Sequence, residues 1–272
     1  MTYVDLHLHL LPGVDDGPAD EAGSLEHAER LVRGGVREAT VTPHVGHWMF
    51  PLDVTEIAER TRALQVAVDA AGLDLRLHPG GEIHPDGATA LSPAELELIA
   101  HGPPGARWVL LEVPFPGIDD DFLAACRHVR EAGFGLLIGH PERAAGFLAD
   151  GHRRLQGELA AGALLQVNLC SLLGRQGPEA HAGAVRLVRD GAAYVVASDG
   201  HGTHRTHTLG EAAAAIRAAG ASQVRSDQLT GANPRFLLRD GIPSTPAPRA
   251  DVPWRSPHRR RVAAALAARR AR

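Results

Sequence analysis

The chain has 272 residues, of which 44% are apolar and 22% charged, with a formal net charge of −4. That length buries a core large enough for one big α/β domain or two small ones, and the charge gives no global pull toward nucleic acid or an anionic membrane. Cys126 and Cys170 make neither a disulfide framework nor a CxxC metal motif, and the absence of a leader-like opening or a run of roughly 20 apolar residues sets a cytoplasmic location as the expectation.

The first predicted strand is YVDLHLHL (3–10). Successive strand side chains point to opposite faces, so Asp5, His7 and His9 share one face and Leu6, Leu8 and Leu10 the other. The loop behind it carries Asp15 and Asp16. Further strands are predicted at 38–44, 73–82, 108–114, 135–141, 164–170 and 194–201. Helical patterns occupy 20–34, 53–71, 119–132, 145–160, 178–190 and 207–219. Such alternation argues for βαβ units and a parallel sheet, and seven units argue for a closed barrel, whose functional residues sit at the C-terminal ends of the strands. The domain expected is 1–242. From Pro243 the pattern gives way to a proline-rich and then basic tail, 243–272, with a short helix predicted at 258–270.

Histidine is abundant, 16 residues against 28 Lys plus Arg, and its placement is more informative than its number. The strand ends carry His7 and His9, His44, Glu82, Glu112, His140, Gln166 and Asn168, and Asp199 with His201. Imidazole and carboxylate without thiolate make a ligand set for manganese, iron(II) or zinc. His7, His9, Asp16, His44, Glu82, Glu112, His140, Asp199 and His201 are nine candidates, whereas one ion takes about four to six donors. Two or three divalent ions bridged by carboxylates would use them all, and ions about 3.5–4 Å apart suit phosphoester hydrolysis. For any single strand-end histidine a structural role is the commoner explanation; the joint placement carries the expectation. His47, His78, His84, His101, His128, His152 and His181 show no such pattern and read as surface or structural.

DLHLHLLPGVDDGP, VTPHV, GGEIHP, LLEVPFPG, IGHPER, QVNLCSLLG and ASDGHG resemble, in order, the motifs of the PHP (polymerase and histidinol phosphatase) superfamily. VDDGP and HPER are more specifically similar to the bacterial manganese-dependent protein tyrosine phosphatases of capsule and exopolysaccharide loci, the CpsB/CapC family. The resemblance runs over about 3–240, through TGANPRFLL. It implies a distorted (β/α)7 barrel with a trinuclear site. His7, His9, Glu82 and Asp199 would hold one metal, Glu82 would bridge to a second completed by Glu112 and His140, and Asp16, His44 and His201 would hold the third. Spacing within the family motif favours Asp16 over Asp15. Manganese is the metal implied first, with iron or zinc as alternatives.

Arg143 of HPER and Arg205 match the family's phosphate-binding arginines, and a planar guanidinium suits a phosphoryl group on chemical grounds as well. The reaction implied is in-line attack on phosphorus by a hydroxide held between metals, with departure of a phenolate whose pKa is about 10. The implied partner is a phosphotyrosine-bearing protein, a bacterial tyrosine kinase of polysaccharide synthesis, with no nucleic acid and no membrane span. A histidinol-phosphate or nucleotide phosphatase, and a metal-dependent nuclease using the basic tail, are the alternatives. Two departures stand out. VGHWMFP follows His44 where a second histidine directly after the first is common, and 243–272 matches nothing in the family.

Overall fold

The structure, a computed structural model, describes residues 2–202 and 205–243. Nine short strands fill seven staves: β1 (Tyr3–Leu8), β2 (Val36–Val41), β3 (His44–Val45), β4 (Arg76–Pro79), β5 (Glu82–Ile83), β6 (Trp108–Glu112), β7 (Gly135–Gly139), β8 (Leu164–Asn168) and β9 (Ala193–Ala197). β2 continues into β3 and β4 into β5 across two-residue breaks. All strand pairs are parallel, in the orders β1-β2-β4 and β3-β5-β6-β7-β8-β9. Beyond β9 the ring closes onto β1: Asp199 N donates to His7 O and His9 N to Gly200 O, both at 2.9 Å. The result is the seven-stave (β/α) barrel expected from the strand–helix alternation.

Its distortion has local causes. Pro43, between β2 and β3, has no N–H to give a ladder. Gly80 and Gly81 separate β4 from β5, where a Cβ on Gly80 would collide with the His101 ring and one on Gly81 would come within 2.8 Å of Val45 Cγ2. β4 does not pair with β6; His101 makes an antiparallel bridge to Trp108 instead. These breaks let β3 and β5 pair with His44 opposite Glu82.

Helices Glu21–Arg33, Ile57–Ala70, Asp120–Glu131 and Pro178–Arg189 stand where amphipathic spacing puts them, three of them with acidic residues in the first turn and basic ones in the last or an aspartate cap. The main core, including Ala39, Leu111, Ile138, Val167 and Val196, packs strands against helices. A second cluster joins Val4, Leu6, Trp108, Leu110, Leu137 and Val195 to Leu237 and Ile242, through the C-terminal helix Asn233–Asp240.

Several expectations need correction. The helix predicted over 145–160 is broken into a π-helical turn, Phe147–Gly151, and the short helices His152–Arg154 and Gln156–Ala160, because glycines at 146, 151 and 157 weaken a continuous helix. The strand predicted over 164–170 ends at Asn168 and turns into the helix Leu169–Leu172. Helix Pro93–Ile99 was not anticipated, although Ser92 and Glu95 form a capping box. The tail and its predicted helix at 258–270 lie outside the described residues. Among the described residues no helix is long and apolar enough to cross a membrane.

Trp108 is fully buried and its Nε1 donates to Leu237 O at 2.9 Å, fastening the C-terminal helix to β6. Trp108→Ala is expected to cost about 3–5 kcal/mol, read as a fall in Tm. Trp48→Ala, at a side chain 80% exposed, should change stability by less than ~0.5 kcal/mol.

Candidate metal centre

The C-terminal ends of the staves converge on one carboxylate. Glu82, 1% exposed, has Oε1 3.2 Å from His7 Nε2 and 2.9 Å from His140 Nε2; its Oε2 lies 3.3 Å from His9 Nε2 and 3.2 Å from His44 Nδ1. Beside it, Asp199 Oδ1 stands 3.5–3.6 Å from His7 Nε2, His9 Nε2 and His201 Nδ1. Asp16 Oδ1 is 3.1 Å from His201 Nε2 and 3.5 Å from His44 Nε2. All nine candidate donors fall into four overlapping groups whose donor atoms lie within 4.8 Å of one another: His9–Asp16–His44–His201, His7–His9–Glu82, His7–His140–Asp199 and His44–Glu82–Glu112. The implied trio of Glu82, Glu112 and His140 also converges, more loosely, with His140 Nε2 3.9 Å from Glu112.

Side chains behind these donors aim them. Asp15 Oδ2 accepts from His9 Nδ1 at 2.7 Å and from the His44 backbone N–H at 3.2 Å, while its Oδ1 accepts from Gly17 N. Asp15 therefore orients two histidines, and its neighbour Asp16 faces the cluster. Gln166 Oε1 stands 3.2 Å from His7 Nδ1 and 3.1 Å from the His140 backbone N–H. With Nδ1–H given to Gln166, His7 turns its Nε2 lone pair to the centre. Asn168 Nδ2 donates to Asp199 Oδ2 at 2.7 Å. Gln166 and Asn168 were visible at the end of a predicted strand; period-2 alternation, which puts both on one face, was the signal for their role.

Among the described residues only His140 (φ 30°) and Asp199 (φ 50°) are non-glycine residues with left-handed backbone. Each such residue costs on the order of 1–3 kcal/mol and persists where its surroundings over-determine it. Here the Gln166 bond holds His140, and the bond from Asp199 N to His7 O holds Asp199.

Electrostatically the cluster suits cations. Burial pushes Glu112 up to about 9, and the Glu82 charge adds to the shift. Burial brings His140 and His201 down to about 4, so both rings are neutral donors near pH 7. His7 and His9 are raised: burial opposes this, but Glu82 and Asp199 charges outweigh it at His7, and Asp15 does so at His9. His7 Nε2, His9 Nε2, His44 Nδ1 and Asp16 Oδ1 are buried without a well-directed hydrogen bond. Two donors about 2.0–2.2 Å from a shared ion stand roughly 3.0–3.5 Å apart, close to the separations found here. The residues fit divalent cations.

Two arginines border the cluster. Arg143 Nη1 and Arg205 Nη1 both reach Asp199 Oδ2, at 3.1 and 2.6 Å, and the Arg143 guanidinium lies 4.4 Å over the Phe115 ring. His47 belongs to none of the donor groups; its ring packs on those of His44, Phe50 and His84. His101, expected at the surface or in a structural role, is buried against Trp108.

Cations bound here would have to displace protons from Glu112, His7 and His9, whose affinities for protons are raised, so cation affinity is expected to rise with pH. Manganese binding to the stripped protein, followed by equilibrium dialysis, is expected to tighten at least about tenfold between roughly pH 6 and 8; a flat profile would count against these donors. Gln166→Leu should weaken binding about 10–100-fold.

Residues 3–239 match the family model for capsular polysaccharide synthesis, CpsB/CapC. The chain is 29% identical over 207 residues to the tyrosine-protein phosphatase YwqE of Bacillus subtilis (strain 168), covering 75% of this chain and 80% of that protein. A solved structure described as one of YwqE from Bacillus subtilis and CpsB from Streptococcus pneumoniae, metal-dependent tyrosine phosphatases, superposes with a TM-score of 0.73 at 25% identity, covering 90% of this chain and all of that one. Histidinol phosphate phosphatase from Lactococcus lactis, with a TM-score of 0.50 and 14% identity over 81% of this chain and 95% of that one, shares the fold. The chain belongs to the CpsB/CapC family of capsular polysaccharide synthesis proteins.

Proposed function

We propose that this protein is a metal-dependent protein tyrosine phosphatase of polysaccharide synthesis, acting in the cytoplasm on a phosphotyrosine-bearing bacterial tyrosine kinase. The observation that carries the reading is the convergence of nine imidazole and carboxylate donors, Glu82 among them, into four overlapping groups, with two guanidiniums at their edge. His7, His9, Glu82 and Asp199 would hold one ion; Glu82, Glu112 and His140 a second; Asp16, His44 and His201 a third, manganese being the first choice. Bound divalent cations supply Lewis acidity, neutralise phosphoryl charge and make water a competent nucleophile near neutral pH.

The chain's own residues supply the rest. Arg143 and Arg205 bind the non-bridging phosphoryl oxygens and stabilise charge gathering there in the transition state. Phe115, stacked against Arg143, fixes the direction of that guanidinium. Asp15, Gln166 and Asn168 hold His9, His7, His140 and Asp199 in place, so reorganisation during the reaction is small. A tyrosyl oxygen leaves readily, its phenol having a pKa of about 10, so no dedicated general acid is needed. Cysteine chemistry is disfavoured: burial pushes the Cys126 thiol up to about 12 and also raises Cys170, and a nucleophilic cysteine must be a thiolate.

A protein substrate is favoured over a small metabolite by the rim. Trp48 and Met49 are exposed beside His47, whose ring in turn packs on His44, and Phe115 is half-exposed against Arg143. Exposed apolar side chains grouped at a mouth suit a partner surface better than a small polar ligand.

Purified protein loaded with manganese is expected to hydrolyse p-nitrophenyl phosphate and a phosphotyrosyl peptide, and to leave histidinol phosphate nearly untouched. His140→Ala and Asp199→Ala should each abolish that turnover; near-normal rates in either would refute the reading. Arg143→Ala should lower kcat about 10²–10³-fold while metal content, measured by elemental analysis, stays at the wild-type level. Loss of metal in that variant would assign Arg143 a structural role.

A further inference from the structure

Beside the metal centre a cleft of about 430 Å3 opens between the C-terminal ends of β8 and β9, lined by Arg143, Arg175, Gln176, Arg205, Thr206 and His207, with Cys170. None of the nine candidate metal donors lines it. It is a chamber that shares only its arginine wall with the centre. Its volume falls in the roughly 300–1,000 Å3 range of ligand pockets, well beyond what a phosphoryl group alone would fill.

Arg175 is the third guanidinium lining the cleft. The helix Leu169–Leu172 leads to it, and its backbone is pinned by a bond from Arg175 N to Cys170 O at 3.0 Å. Next to it, Gln176 Oε1 accepts from Ser171 Oγ at 2.9 Å, which holds the start of this segment against the helix. The Arg175 head meets Glu211 at 3.2 Å, with the two side chains 52% and 44% exposed. A pair that exposed is worth little, so an incoming carboxylate can replace Glu211. Arg143 and Arg205 are already engaged by Asp199 and are committed to the phosphoryl group under the proposed function. Arg175 is the guanidinium of the cleft with no task in that reaction.

The geometry points to an anion subsite: Arg175 binds the carboxylate of an aspartate or glutamate lying one to three residues from the phosphotyrosine, while Arg143 and Arg205 hold the phosphoryl group. This rests on the proposed phosphatase reading and narrows its substrate to phosphotyrosines in acidic stretches. Neighbouring residues of an extended peptide advance about 3.3–3.6 Å each, and the cleft adjoins the phosphoryl-binding arginines because Arg143 and Arg205 line it.

The test compares two phosphotyrosyl peptides in each enzyme, one with glutamates flanking the phosphotyrosine and one with glutamines, so that the ratio is internal to each preparation. Wild type is expected to prefer the glutamate peptide about threefold to tenfold in kcat/KM, mainly through KM. In Arg175→Ala the ratio should fall to near one, and in Arg175→Glu a lysine-flanked peptide should be preferred. Equal turnover of the two peptides by wild type, or a preference that survives Arg175→Ala, overturns the subsite. Equal turnover together with inhibition by inorganic phosphate that weakens in Arg175→Ala would assign the cleft to free phosphate instead. If neither peptide is hydrolysed by the manganese-loaded wild type, the phosphatase reading itself fails.

Discussion

The carboxylate of Glu82, buried among imidazoles from β1, β3 and the end of β7, is the interaction on which the site depends. Removing an ion from water costs several kcal/mol even after relaxation, and here that cost recurs at Glu82 and Asp199 within one cavity. Histidine protons offset part of it: Glu82 is held well below the carboxylate range because the His7 and His44 charges outweigh the opposing effect of burial. At Glu112 burial and the Glu82 charge outweigh the help from Arg143 and His9, and its carboxyl is pushed up to about 9. Divalent cations would resolve the conflict more completely than protons do, since one ion can serve several carboxylates and leave the imidazoles neutral.

The barrel's irregularities serve this convergence. An undistorted parallel ladder would carry Glu82 along the direction of β4, and the break at Gly80–Gly81 lets β5 turn to pair with β3 and β6. Glu82 N then donates to Pro43 O at 3.0 Å, so the break after β2 is itself part of the brace. The left-handed residues His140 and Asp199 act similarly at β7 and β9, ending each strand abruptly so that its last side chain points across the mouth. Strain is concentrated at candidate ligands, and the bonds that maintain it come from Gln166 and His7.

The architecture was legible because the periodicities are strong: β1 alternates cleanly, and the helices flanking it show apolar faces at 3.6-residue spacing. The donors were legible because they recur at strand ends, a regularity that no single histidine carries. What escaped has physical reasons. Leu169 and Cys170 continue an apolar run, and a buried strand and a buried helix look alike over so few residues. Asp15 and Asp16 are adjacent and chemically identical; motif spacing picks Asp16 as the donor, but the fold alone gives Asp15 its part, bonding His9 and the backbone of His44 while Asp16 faces His44 and His201. Of the cleft, Arg143 and Arg205 were legible as phosphate-binding arginines, but Arg175 was not, because the cleft's walls come from segments about thirty residues apart that share no motif.

Asp199 shows how the two halves of the site are joined. Its Oδ1 faces His7, His9 and His201, whereas its Oδ2 takes Arg143, Arg205 and Asn168. Three donors crowd one oxygen, more than its lone pairs accommodate well. A phosphoryl group drawing both guanidiniums away would leave Asn168 alone on Oδ2, enough to keep the carboxylate aligned. Burial resists ionisation of Asp199, yet the charges of His7 and Arg205 hold it below the carboxylate range; were the arginines drawn to substrate, a cation held by His7, His9 and Asp199 would supply the positive charge in their place. Under the proposed function, substrate capture and cation binding would be coupled through one carboxylate, whose two oxygens face the imidazoles and the guanidiniums separately.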